Sequence, residues 1–151
     1  MIEKQKVRHS YGISEKQFSN YVKKIRDKKG SNPAGELYEL LERRLDNVVY
    51  RLGLAPSRAF ARQLVSHGHI TVNGTKVTVP SYSARVGDVV AVREGSKKIG
   101  PFKELAERLE AHPTPSWLAV EPKKGRASIK GKPEGGEMTL SLNSVLEFYS
   151  R

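Results

Sequence analysis

The sequence predicts an α+β fold: an N-terminal helical segment, a central unit of two helices packed on a small antiparallel sheet, and a C-terminal mixed extension. Three observations carry this. Apolar residues recur at helical spacing from Phe18 to Ile25 and again from Leu37 to Val65. The run that starts at Ile70 alternates instead and contains an Asn-Gly pair. Beyond Glu94 the periodicity weakens into sequence rich in Pro, Gly and Lys. The expected division is residues 1–43, 44–95 and 96–151, with the last segment packing on the helical one. A chain of 151 residues is long enough for one compact domain or two small ones.

In the first segment, Ser14-Glu15-Lys16-Gln17 is a capping-box pattern, and Ile13 and Phe18 are spaced as a hydrophobic staple. Phe18, Tyr21, Val22 and Ile25 then mark one helix face, and Gly30-Ser31-Asn32-Pro33 breaks the chain. A second helical region is expected from about Glu36 to Leu52, with Leu37, Leu40, Leu41, Leu45, Val48 and Leu52 apolar and Gly53 as its stop. Ser57 caps a third, whose inner face is Ala61, Leu64 and Val65 and whose stop is Gly68.

Ile70-Thr71-Val72-Asn73-Gly74-Thr75-Lys76-Val77 reads as a hairpin, because Asn-Gly supplies the left-handed residues of a type I′ turn. The register pairs Val72 with Thr75, so Ile70, Val72, Val77 and Val79 are expected on the buried face. Gly87-Asp88 turns the chain into a strand at Val89–Val92. Phe102, Leu105, Ala106 and Leu109 mark a short helix. Residues 112–136 read as loop, and Leu140 to Phe148 as a strand or helix.

Composition limits function before any motif does. Twenty-seven lysines and arginines face sixteen acids, a formal net charge of +11, which makes nucleic acid the default partner and a basic membrane-surface protein the competitor. The charge is uneven, with nine cations against three acids in residues 1–35 alone. No segment approaches the roughly 18 apolar residues of a membrane span and no secretory signal is visible, so a soluble, intracellular chain is expected. Cysteine is absent, which removes disulfides, thiolate zinc sites and cysteine nucleophiles. Aromatic residues make up only 7%, which favours backbone and shape recognition of folded RNA over base stacking.

His67 and His69 flank Gly68 and could be metal ligands, a catalytic pair or contacts to an anion. The nearby sequence offers no carboxylate or cysteine to complete a metal shell, and Ser66, adjacent for a catalytic pair, is expected to point elsewhere from its helix. Arg58 and Arg62, spaced at i, i+4 beside Gln63 and His67, form a polar cationic strip opposite the apolar face. A solvated helix face is the plain alternative; Lys76 on the adjoining hairpin tips the balance to phosphate binding. Gly95-Ser-Lys-Lys-Ile-Gly100 has P-loop glycine spacing but Pro101-Phe102 where Lys and Ser/Thr must stand. Arg44-Leu45-Asp46 is similar to the catalytic aspartate motif of pseudouridine synthases, without the Thr and Gly that follow it there. Asp46 is therefore read as a structural helix residue.

The stretch LDNVVYRLGLAPSRAFARQLVSHGHITVNGTKVTVPSYSARVGDVVAVRE resembles the alpha-L RNA-binding module, in the version found in the family of bacterial-type small-subunit ribosomal protein four. EKQKVRHSYGISEKQF, PSWL and the terminal LEFYSR extend the resemblance over nearly the whole chain. The family usually begins with a further basic N-terminal region, zinc-binding in some members, and this sequence lacks that extension. It also departs from the family's Asn-Glu pair near the C-terminus, where Asn143 precedes Ser144.

The resemblance implies a non-enzymatic, cofactor-free structural constituent of the small subunit with no small-molecule substrate. Its partner would be small-subunit rRNA, at the helical junction of the 5′ domain, where the family nucleates assembly. It would sit beside small-subunit ribosomal protein five, near the region where mRNA enters, and contribute to translational accuracy. The RNA-facing positions of the module correspond to Ser57, Arg58, Arg62, Gln63, His67, His69, Asn73 and Lys76. Lys4, Gln5, Lys6, Arg8, Tyr11 and Lys16 are the matching contacts from the N-terminal motif. A freestanding RNA-binding factor acting on ribosomal or transfer RNA, and an RNA-modifying enzyme, are the competing expectations.

Overall fold

In the computed structural model, which describes residues 2–28, 30, 32–102, 104–133 and 138–149, the chain opens with three helices. These are α1 (Ile2–Tyr11), α2 (Glu15–Lys28) and α3 (Pro33–Glu42), followed by α4 (Leu45–Arg51) and α5 (Arg58–Ser66). Strands β1 (Ile70–Val72), β2 (Thr75–Lys76) and β3 (Val89–Val92) come next, then α6 (Leu105–Ala111), β4 (Leu118–Glu121), β5 (Arg126–Ile129) and α7 (Met138–Tyr149). The elements fall into two compact units, Met1–Glu42 with Pro133–Arg151, and Arg43–Lys132.

The first unit is helical. The capping box at its second helix is made: Ser14 Oγ accepts from the Gln17 amide at 3.1 Å, and the Ser14 amide donates to Gln17 Oε1 at 3.3 Å. Phe18, Val22 and Ile25 are buried together with Leu37 and Leu41 of α3 and Leu142 and Val145 of α7. Helix α7 packs against α1 and α3. Helix α1 was not expected from the sequence. Its core residues are Val7 and Tyr11, one turn apart in an otherwise polar segment, too few to make a periodic signal.

In the second unit the expected helix from Glu36 to Leu52 is two helices. Arg44 is extended, at φ −59° and ψ 137°, and bridges Ser83. The reason lies in the backbone: the Leu45 and Asp46 amides donate to Tyr82 and Pro80 carbonyls, at 2.8 and 3.1 Å, and the Ala84 amide donates to Arg43. These long-range partners replace the helical ones of a continuous helix, a substitution that apolar spacing cannot reveal.

The sheet is antiparallel throughout, in the order β2-β1-β3-β5-β4. Val72 pairs with Thr75 as the hairpin register requires, and Asn73 and Gly74 hold φ of +52° and +82°. Ile70, Val72, Val90, Val92, Ala127 and Ile129 fill one core with Val48 and Val49 of α4 and Ala61, Leu64 and Val65 of α5. Val77 is half-buried against this core, whereas Val79, expected to share its face, is 54% exposed. The paired residues of β1 and β2 end at Lys76, with one further bond from the Val77 amide to the Ile70 carbonyl at 3.2 Å, and past Val77 the alternation no longer follows the sheet.

Strands β4 and β5 lie in a stretch expected to be loop. Pro122, Lys123, Lys124 and Gly125 are the turn between them, and β5 pairs with β3 through Val90 and Ala127. Residues 96–151 therefore serve both units: β4 and β5 extend the sheet, and α7 joins the helical unit. Helix α6 is tied to the sheet unit as well, since Arg108 donates to the Gly53 and Leu54 carbonyls, both at 3.2 Å.

Candidate nucleic-acid interface

Helix α5 begins where the sequence places it. Ser57 is extended and its hydroxyl accepts from the Phe60 amide at 3.1 Å, which leaves Arg58 in the first turn. With Ala61, Leu64 and Val65 turned into the core, the remaining faces carry Arg58, Arg62, Gln63 and His67.

The two arginines are anchored from α4. Arg58 Nε donates to Asn47 Oδ1 at 2.9 Å, and its guanidinium lies over the Tyr50 ring, 4.5 Å from the centroid. Arg62 Nε stands 3.6 Å from Asp46 Oδ2. Asp46 is 1% exposed and takes two bonds from Arg44, Nε to Oδ1 at 3.1 Å and Nη2 to Oδ2 at 3.0 Å. A carboxylate so buried and satisfied is a structural counter-ion, and it offers no open acid or base for chemistry. Asn47, Tyr50 and Asp46 thus hold cationic side chains at the surface in preset orientations, the arrangement that phosphate recognition favours.

Past α5 the chain turns through the histidines. His67 is exposed, and His69 is half-buried, with Nδ1 hydrogen-bonded to Ser96 Oγ at 2.8 Å and its ring edge-on to Phe102 at 5.8 Å. Burial holds the His69 imidazole below its ordinary value of 6.5, and the positive charges of Arg93 and His67 push the same way. The two imidazoles stand 6.5 Å apart. Among the described residues no cluster of three or more His, Asp or Glu could hold a metal ion.

Lys76 is exposed on β2 and leans across Gly68, where an added Cβ would meet its Cδ at 3.1 Å. Asn73 is exposed but its amide is engaged in the fold, donating to Asp88 Oδ1 at 3.0 Å and accepting from the Val89 amide at 2.9 Å. The structure therefore brings Gln63, His67 and Lys76 to the surface, with Arg58, Arg62 and His69 half-buried near them.

On the helical unit, Lys6 and Lys16 are exposed. Lys4 bonds Glu15 at 2.7 Å, and Arg8 lies 3.5 Å from the same carboxylate while donating to Gln5. Tyr11 is 1% exposed and its hydroxyl donates to Glu42, so its ring serves the core of this unit.

Sequence reasoning passed over two sets of residues. Asn47 and Tyr50 position Arg58 across the α4–α5 corner, and only the fold reveals that. Arg93, Lys97, Lys124 and Arg126 line a groove of about 370 Å³ on the sheet face opposite the core. The alternation Val89, Ala91, Arg93 could have signalled the first of these; the others depend on strands unread in the sequence.

A capped helix bearing arginines, a histidine turn and a basic hairpin define an RNA-binding domain of the S4 class, and the S4 domain family matches residues 43–90. Residues 1–42 match the ribosomal protein S4/S9 N-terminal domain. The small ribosomal subunit protein uS4 of Roseiflexus sp. (strain RS-1) is 48% identical over 155 residues, covering 100% of this chain and 75% of the relative. Protein uS4A of Symbiobacterium thermophilum and uS4 of Chromobacterium violaceum are each 49% identical over 152 residues, covering 99% of this chain and 72% and 73% of the relatives. The chain belongs to the uS4 family of small ribosomal subunit proteins. That family is structural and non-enzymatic, with an RNA-binding domain at its centre. No helix among the described residues is long and apolar enough to cross a membrane.

Proposed function

We propose that this chain is a primary binder of small-subunit rRNA, acting at the helical junction of the 5′ domain and nucleating assembly there. Beside small-subunit protein five, near the region where mRNA enters, it contributes to translational accuracy in a cytoplasmic ribosome. The observation that supports this best is the anchored pair Arg58 and Arg62, held by Asn47, Tyr50 and Asp46 beside Gln63, His67 and Lys76. Cations fixed in advance lose less side-chain freedom when phosphates arrive, and converging phosphates of a junction are what such a surface neutralises. Lys6 and Lys16 on the helical unit add charge of the same sign. The freestanding-factor alternative draws no comparable support, because similarity to small ribosomal subunit proteins runs through 99–100% of the chain.

The test is the double variant Arg58→Gln/Arg62→Gln bound to a transcript of the 5′ domain. Loss of two phosphate contacts is expected to shallow the dependence of log affinity on log salt by about 1.5 to 2. An unchanged slope and affinity would remove this face from the interface.

A further inference from the structure

The sheet has a second face. Directly paired residues on neighbouring strands point to the same side, and Lys76, Thr71, Ala91, Arg126 and Glu121 form one such row across all five strands. This row lies opposite the core row of Val72, Val90 and Ala127. Its middle is the floor of the groove of about 370 Å³, made of Thr71 and Ala91, with Gly74 and Val89 beside them. Among the described residues no aromatic ring lines it.

The rim is cationic and comes from separate parts of the chain. Arg93 follows β3, Lys97 follows the 3-10 turn Glu94–Ser96, Lys124 sits in the turn after β4, and Arg126 opens β5. Glu94 is the one carboxylate among the described lining residues. The positions of three of the cations are set by partners. Lys97 Nζ bonds Glu94 at 2.8 Å and donates to the Lys124 carbonyl at 3.3 Å. Arg126 donates through Nε and Nη2 to the two oxygens of Glu121, each at 3.2 Å, and Lys124 lies 3.4 Å from Glu121. The hydrogen bond from Arg126 holds the Glu121 carboxyl below its ordinary range, with Lys124 adding to the effect.

The geometry points to a second RNA contact here: the groove receives the sugar-phosphate backbone of an RNA strand, in addition to the contacts of α5 and the hairpin. The inference rests on the proposed rRNA-binding role. Charge favours RNA: four cations line the groove against Glu94, and counting Glu121 at the end of the row still leaves an excess of two positive charges. Shape favours its backbone over its bases, since a narrow floor of Thr and Ala offers no stacking platform but can admit phosphates to flanking Lys and Arg. Continuity favours it too, because Lys76 of the hairpin stands at the end of the row that forms the floor. One strand leaving the hairpin could follow the row toward Arg126.

The full chain carries the test. Arg93 and Lys124 are both exposed, so Arg93→Gln/Lys124→Gln removes two rim charges without opening the core. The control, Arg85→Gln/Lys130→Gln, removes two exposed cations of the same unit that do not line the groove. Binding to the 5′ domain of small-subunit rRNA is measured across a salt series. The groove variant is expected to lower the salt slope by about 1.5 to 2, and the control by much less. Equal slopes for the two variants overturn the inference, while failure of the unaltered protein to prefer this RNA would instead overturn the role on which it rests. Ala91→Cys, in a chain without native cysteine, gives a second measurement through a photocrosslinker on the groove floor. Crosslinks to rRNA in assembled subunits are expected; crosslinks to a neighbouring protein alone would assign the groove to an acidic protein partner and overturn it.

Discussion

At the scale of single residues, the proposed interface depends on side chains that do not reach its surface. Asp46 balances Arg44, which is 2% exposed, and steadies Arg62. Removing the carboxylate in Asp46→Ala strips two charge-assisted hydrogen bonds from a buried guanidinium, a loss of about 3–5 kcal/mol in urea denaturation. His69 adds a pH dependence of known sign. Its depressed folded value means that, as pH falls below 6.5, the unfolded chain takes up the proton first, so stability declines through the window beneath 6.5. The decline is complete once pH is below the folded value. His69→Gln should narrow the difference between urea midpoints measured at about pH 7.5 and about pH 5.5; an unchanged difference would place that titration elsewhere. Much of this site was legible in the sequence as spacing: Ser57 as a cap, and Arg58, Arg62, Gln63 and His67 on the polar side of α5. What spacing could not show is which polar side chains turn inward. Tyr11 bonds Glu42 and Asn73 bonds Asp88, partners 31 and 15 residues away, and no local pattern encodes them.

At the scale of elements, legibility followed the range of the forces. The capping box at α2 and the Asn-Gly hairpin are local, and both formed in the expected register. The break between α3 and α4 and the pairing of β5 with β3 depend on distant backbone partners, and the sequence is silent on both. Two glycines separate backbone strain from crowding. Gly53 and Gly74 hold nearly the same dihedral, φ +81° and +82°, but nothing lies within 4 Å of a Cβ at Gly74, whereas one at Gly53 would meet His112 Cγ at 2.5 Å. Gly74→Ala should therefore cost the left-handed penalty alone, about 1–2 kcal/mol. Gly53→Ala should exceed it by a further ~1–3 kcal/mol, as α6 is pressed away from the α4–α5 corner. Thermal melts of the two variants check the order; equal losses would show that His112 yields freely.

At the scale of the whole molecule, a formal charge of +11 on 151 residues dominates encounter with any polyanion. Charge alone brings affinity with little preference, since counterion release follows the density of phosphates and not the sequence of bases. Preference has to come from cations held where one folded RNA presents its phosphates, a part proposed here for Arg58 and Arg62, which Asn47, Tyr50 and Asp46 hold in place. The most direct measurement is a salt titration of binding to the 5′ domain of small-subunit rRNA, beside an unrelated folded RNA of equal length. Expected is tighter binding to the 5′ domain, with the preference kept as salt rises and both affinities fall. Equal affinity for the two RNAs, lost in parallel with salt, would contradict it and leave a cationic protein without a specific rRNA site.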